Sequence, residues 1–214
     1  MSVNINWLGL SCFKINAKIG DTEVDIVTDP YSPASGLKLP RNLSADIVTV
    51  SHDHANHNYV DGVGGNHFVM KSPGEVEEKG VFIYGIHSKA HDGKSNNTLF
   101  RLEVGDISIA HLGDIAHEFT DEELEQLKDV DILLVPVGGE GVATIKQAVS
   151  LVNELQPRIV IPMHYKLPEL KSDLPPVDKF LKEVGAKSET MPKLKIAKKD
   201  LPQEEMKVIV LERG

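Results

Sequence analysis

The sequence predicts an α+β fold, and three observations predict it. Glycine turns cut the first third into short strand-like segments. Beyond it, apolar strands alternate with segments of helical period. Side chains suited to a metal ion recur where the apolar runs stop. A chain of 214 residues fits one domain, 1–214, large enough to bury its own core.

Residues 3–8, 12–17 and 23–28 show mixed alternation and are parted by Gly9 and by Gly20-Asp21, so each reads as a strand. Asp29-Pro30 ends the third, and the Pro-, Ser- and Gly-rich residues 30–40 read as a loop. Ile47-Val48-Thr49-Val50 is a buried strand. Further strands are expected at 67–70, 81–87, 98–104 and 107–112, with Gly105-Asp106 turning between the last two. Thr120-Asp121-Glu122-Glu123 has the capping-box form that starts a helix. An apolar strand over 131–137 runs into Gly138-Gly139. In the helix after it, Ile145, Ala148, Val149, Val152 and Leu155 keep helical spacing until Pro157. A buried strand at 158–162, a third helix near 177–184 and weak strands at 193–197 and 207–211 complete the chain.

Acidic residues outnumber basic ones, 32 to 23, giving a formal charge of −9. That sign repels a phosphate backbone and argues against general nucleic-acid binding. The basic patch at 195–199 reads as a solvated face. Cys12 is the single cysteine, so no intrachain disulfide forms, and its apolar neighbours make it a core residue. The N-terminus lacks a signal-peptide pattern, and no apolar run approaches the ~20 residues of a spanning helix. A cytoplasmic location without membrane contact is expected.

Directly after the strand at 47–50 come His52, His54 and His57. Imidazole is the commonest protein ligand for zinc-like ions, and His52 and His54 project from one side of an extended chain. Other candidates also end apolar runs: His91, with His87 as the competing choice, Asp114 after 107–110, and His164 after 158–162. Loops at a sheet edge leave a coordination position open for water.

His52-Asp53-His54-Ala55-Asn56-His57 resembles the His-x-His-x-Asp-His signature of the metallo-β-lactamase superfamily. Trp7-Leu8-Gly9, Thr28-Asp29-Pro30-Tyr31, His111-Leu112-Gly113-Asp114, Val135-Pro136-Val137-Gly138-Gly139 and Ile161-Pro162-Met163-His164-Tyr165 are similar to the branch of small metal-dependent hydrolases that includes L-ascorbate-6-phosphate lactonase. The resemblance runs over residues 7–165 and implies a four-layer αββα sandwich with the site along one edge. It implies two metal positions: His52, His54 and His91 at the first, His57, His164 and Asn56 at the second, with Asp114 bridging. Zn2+ is the expected ion, one or two per chain, with Mn2+ or Fe2+ also compatible. A metal-bound hydroxide would attack a lactone, ester or phosphoester of a small-molecule substrate. The catalytic candidates are Asp114 and Asp53, the latter either supporting the ligands from behind or carrying a proton, because it points away from the ligand face.

The chain departs from that signature at Asn56, where the family has Asp. An amide oxygen carries no charge, so the second position should be weaker and the metal content nearer one per chain. Leu10 stands where relatives often have His. Asp29 is expected to hold the ligand loop by hydrogen bonds, His111 and His117 to orient or support, and His67 to be an ordinary strand residue. Two rival readings stand beside the hydrolase: a nucleic-acid-processing phosphodiesterase, and a catalytically weak metal-binding or sensing protein. A homo-oligomer is compatible with the sequence.

Overall fold

The computed structural model describes residues 1–89, 96–139 and 141–214. β1 (Val3–Gly9), β2 (Cys12–Ile19) and β3 (Thr22–Thr28) form an antiparallel meander in the register Ile5↔Ile15↔Ile26. β4 (Ile47–Thr49) and β5 (Phe68–Met70) continue that sheet in parallel, and β13 (Leu194–Ile196) closes its other side against β1. The second sheet has eight strands. β6 (Gly74–Glu78), β7 (Val81–Lys89), β8 (Asn96–Val104) and β9 (Ile107–His111) are antiparallel. β10 (Ile132–Pro136), β11 (Ile159–Met163), β14 (Lys207–Leu211) and finally β12 (Ser188–Met191) add to β9 in parallel.

Parallel strands need crossovers, and the helices supply them. α1 (Asp121–Leu127) joins β9 to β10, and α2 (Ile145–Leu155) joins β10 to β11. Both begin with capping boxes, Thr120 with Glu123 and Thr144 with Gln147. α2 buries Ala148, Leu151, Val152 and Leu155 and packs on β10 and on α3 (Asp178–Val184).

One continuous core lies between the sheets, with Ile5, Trp7, Phe13 and Ile26 meeting Phe100, Leu102, Ile109 and Leu134. The opposite face of the six-stranded sheet turns Cys12, Val27 and Val48 toward Tyr31, Leu37, Leu43 and Val63. These last four come from the loops before and after β4, with short 3-10 turns at Pro33–Ser35 and Val60–Gly62. The sandwich is as expected, but among the described residues loop rather than α-helix covers that face. Cys12 is fully buried, as its neighbours predict, and burial pushes its thiol pKa well up. Among the described residues no helix is long and apolar enough to cross a membrane.

Two strands escape the sequence reading, β6 and β12, and both are outer strands of the eight-stranded sheet. Gly74-Glu75-Val76-Glu77-Glu78 and Ser188-Glu189-Thr190-Met191 carry charge where a central strand would carry apolar side chains. Charged edges block further strand pairing, so an edge strand hides its own pattern.

Candidate metal centre

Three chain segments meet at one rim of the two sheets. β9 and β11 run parallel to β10 and end at this rim, where their continuations present Asp114 and His164. β4 delivers Ser51 to His57 to the same place. Thr98 N–H donates to Ser51 O (2.8 Å) and His164 N–H to Leu10 O (3.1 Å), each stitching one sheet to the other. Together they floor an open cleft of about 990 Å³.

Ligand-type atoms converge there in two groups, His52/His54/His57 and His57/Asp114/His164, each with its donor atoms within 4.8 Å of one another. Asp114 Oδ2 lies 3.1 Å from His57 Nε2 and 3.8 Å from His52 Nε2. The outer hydrogen bonds decide which ring nitrogen faces the centre. Ser51 Oγ donates to Asp29 Oδ2 (2.6 Å) and so accepts from His52 Nδ1–H (3.0 Å). His57 Nδ1–H donates to Asp29 Oδ2 (2.8 Å), and His164 Nδ1–H to the Gly138 carbonyl (3.2 Å). All three rings therefore turn Nε2 to the centre, the arrangement in which a carboxylate or carbonyl behind a histidine fixes its tautomer. His54 is the exception: its Nδ1 accepts from Asn56 N–H (3.3 Å).

Asp29 anchors this arrangement. It is fully buried, and its Oδ1 also accepts from Ser51 N–H (2.7 Å). Burial raises its pKa, but the His57 charge and hydrogen bond, His111 and Ser51 outweigh burial and lower it. Burial likewise disfavours a charged His57, yet the Asp114 and Asp29 carboxylates push its pKa up to about 10. Asp114 is held well below the carboxylate range despite burial, chiefly by the charges of His57 and His164. His52 moves down, through burial and then the charge of His57. Without a metal, a proton on His57 supplies the positive charge between two carboxylates.

The residues fit a divalent cation. Asp114 Oδ1 is buried and makes no hydrogen bond among the described residues, and His57 Nε2 has only the Asp114 carboxylate before it, out of hydrogen-bond alignment, a cost that an ion between them would remove. Imidazoles and a carboxylate are the donor set of zinc, manganese and iron sites. Three non-glycine residues also hold left-handed backbone here: Leu10 (φ 50°), Asp29 (φ 40°) and His164 (φ 57°). Each such conformation costs about 1–3 kcal/mol and persists where surrounding contacts enforce it.

The other candidates sort by position. Asn56 and Asp53 line the cleft, and Asp53 Oδ1 accepts from Asn58 Nδ2. His87 is exposed on β7 and is not among the residues lining the cleft. His91 lies outside the described residues. His111 is buried, bonding Ser11 O through Nε2 (2.8 Å) and Gly113 N–H through Nδ1 (3.1 Å). His117 pairs with Glu123 of the α1 cap (3.1 Å). His67 precedes β5 rather than lying within it. Sequence reasoning missed Asn97, a buried residue of β8. Its Nδ2 donates to Leu112 O (3.1 Å) and its Oδ1 accepts from Asp114 N–H (3.3 Å), holding the Asp114 turn. An Asn inside a strand, where its propensity is poor, was the available signal.

A two-sheet sandwich with this centre on its rim defines a β-lactamase superfamily domain, and residues 4–164 match the family model of that description. Within it, the chain belongs to the UPF0173 metal-dependent hydrolase family. A member from Thermococcus onnurineus is 31% identical, the match covering 88% of this chain and 95% of the relative. One from Methanosarcina mazei is 28% identical over 88% and 93%. Among solved structures, a Thermotoga maritima protein assigned as a Zn-dependent hydrolase of the metallo-β-lactamase superfamily superposes with a TM-score of 0.80. It is 36% identical, and the match covers 98% of each chain.

Proposed function

We propose that this chain hydrolyses a lactone, carboxylic ester or phosphoester of a small molecule. A divalent ion would be held by His52, His54, His57, Asp114 and His164, with Asn56 and His91 completing the set that the resemblance implies. Zinc is the first choice of ion, manganese or iron the alternatives. The observation that carries the reading is the convergence of His57, Asp114 and His164 at the floor of an open cleft, with the buried Asp114 Oδ1 unpartnered among the described residues. When bound, the ion supplies Lewis acidity, polarising the scissile bond and making water more acidic.

The chain's own groups do the rest. Asp29, Ser51 and the Gly138 carbonyl keep the imidazoles aimed before the ion arrives, so no reorganisation is needed at the moment of reaction. Asp53, exposed and lining the cleft, has one carboxylate oxygen tied to Asn58. The other is the place for a proton passing from the attacking water to the leaving group.

Purified protein supplied with zinc, manganese or iron should hydrolyse generic lactones, aryl esters or phosphodiesters. His54→Ala should lower both metal affinity and turnover. Metal binding without turnover of any of these substrates would replace the hydrolase reading with a sensing one. A preference confined to phosphodiesters would favour a nucleic-acid-type substrate.

A further inference from the structure

Lys71 is the only lysine or arginine among the described residues lining the cleft. Its position follows from the sheet. β5 lies parallel to β4, Met70 pairs with Thr49, and Val50 N–H donates to Met70 O (2.9 Å). The residue after Met70 must therefore emerge beside the residue that begins the histidine segment. The turn that carries it is held from below. A Cβ on Gly85 of β7 would stand 2.7 Å from Ser72 O and 3.2 Å from Pro73 Cα, so the absence of a side chain at Gly85 lets the 71–73 connection lie on the sheet. Lys71 thus rises from a pinned turn, and it makes no ion pair among the described residues. Ser72, Asn96 and Thr98 line the same cleft and add hydrogen-bonding groups. Among the described residues, the acid lining the cleft beyond the metal centre and Asp53 is Asp173. It is 96% exposed and engaged by Lys166 (3.4 Å).

We infer that Lys71, with Ser72 and Asn96 beside it, binds an anionic group of the substrate set apart from the bond that is cleaved. This rests on the hydrolase reading above and names its substrate class: esters or lactones carrying a carboxylate or phosphate. A flexible ammonium is a point-charge partner that accepts either group, and the cation at the centre adds to the same positive field. The field is local, since the chain as a whole carries −9. Lys71 is a specificity residue in this account, reaching the substrate away from the reacting atoms.

The experiment uses zinc-loaded protein and 4-nitrophenyl esters of one acyl chain ending in a methyl, a carboxylate or a phosphate. Wild type should prefer an anionic-tailed ester to the methyl-tailed one by about tenfold in kcat/KM, the size of one charged hydrogen bond. The preference should reside in KM and weaken with salt. Lys71→Met should abolish it, Lys71→Arg should restore most of it, and Lys182→Met on α3 should leave it intact. Whichever anionic tail shows the larger ratio identifies carboxylate or phosphate. Equal ratios in wild type and Lys71→Met would overturn the inference. If no ester is turned over, the hydrolase reading fails separately, and calorimetry with the corresponding amides decides this one. Tighter binding of the anionic amides, lost in Lys71→Met, upholds it; equal binding of all three refutes it.

Discussion

At the scale of single residues the centre behaves as a proton-loaded metal site. His57 must give up its proton to ligate, so zinc and a proton compete for Nε2. With the pKa of His57 raised to about 10, apparent zinc affinity should climb about tenfold per pH unit between pH 6.5 and 8, with one proton released per ion. Chelator competition across that range checks it, and a flat profile would refute it. The metal-free protein should answer in the opposite direction. A raised pKa makes the His57 contribution to stability complete below 6.5 and lost as pH rises through about 10. The lowered pKa of Asp114 makes its contribution complete above 3.8 and lost as pH falls below it. Asp29→Asn keeps the shape but removes the charge that fixes the His57 ring and the Ser51 loop. Groups behind ligating histidines typically account for ten- to a hundred-fold in affinity, and a loss of about that size is expected in the same competition assay.

At the scale of elements, legibility follows exposure and locality. β1 to β3, the Thr120 capping box and the strand ends carrying Asp114 and His164 could be read because each pattern is local and its apolar face is buried. The hairpin between β8 and β9 was marked by Gly105-Asp106. β6 and β12 could not be read, because an edge strand carries charge in place of alternation. The role of Asn97 could not be read for another reason: its partners, Leu112 and Asp114, lie across the sheet, and no spacing in the sequence brings them together. The turn after β9 offers an element-scale prediction. Gly113 has φ 53°, and a Cβ there would stand 2.4 Å from Asn97 Oδ1 and 2.6 Å from Ser51 Cβ. Gly113→Ala should therefore push the Asp114 turn away from both the β8 anchor and the His52 loop. A stability loss of about 1–3 kcal/mol by denaturant titration is expected, with metal affinity falling alongside. Unchanged metal affinity would mean that Asp114 is positioned by something other than this contact.

At the scale of the whole molecule, fold and ion are thermodynamically coupled. The ligands arrive on β4, β9 and β11, strands from both sheets, so unfolding scatters every one of them. An ion that binds only the folded chain stabilises it by about 2.7 kcal/mol when present at a hundred times its Kd. For a chain of this length that is a rise in Tm of roughly 5–10 °C, readable by calorimetry with and without zinc. The number of ions is set by the charge available to hold them. Asp114 is the only carboxylate in the two converging groups, and His57 is shared between them although one imidazole nitrogen serves one ion at a time. Asn56 lines the cleft with a neutral amide. Within these two groups of described residues a second divalent ion would meet no second negative charge, so metal analysis after dialysis should return nearer one ion per chain than two. Asn56→Asp adds that charge beside His57 without enlarging the side chain. The variant should take up a second equivalent and show a larger zinc-induced rise in Tm than the wild type. Two tightly held ions in the wild type, or no gain in Asn56→Asp, would mean that carboxylate count does not govern occupancy here.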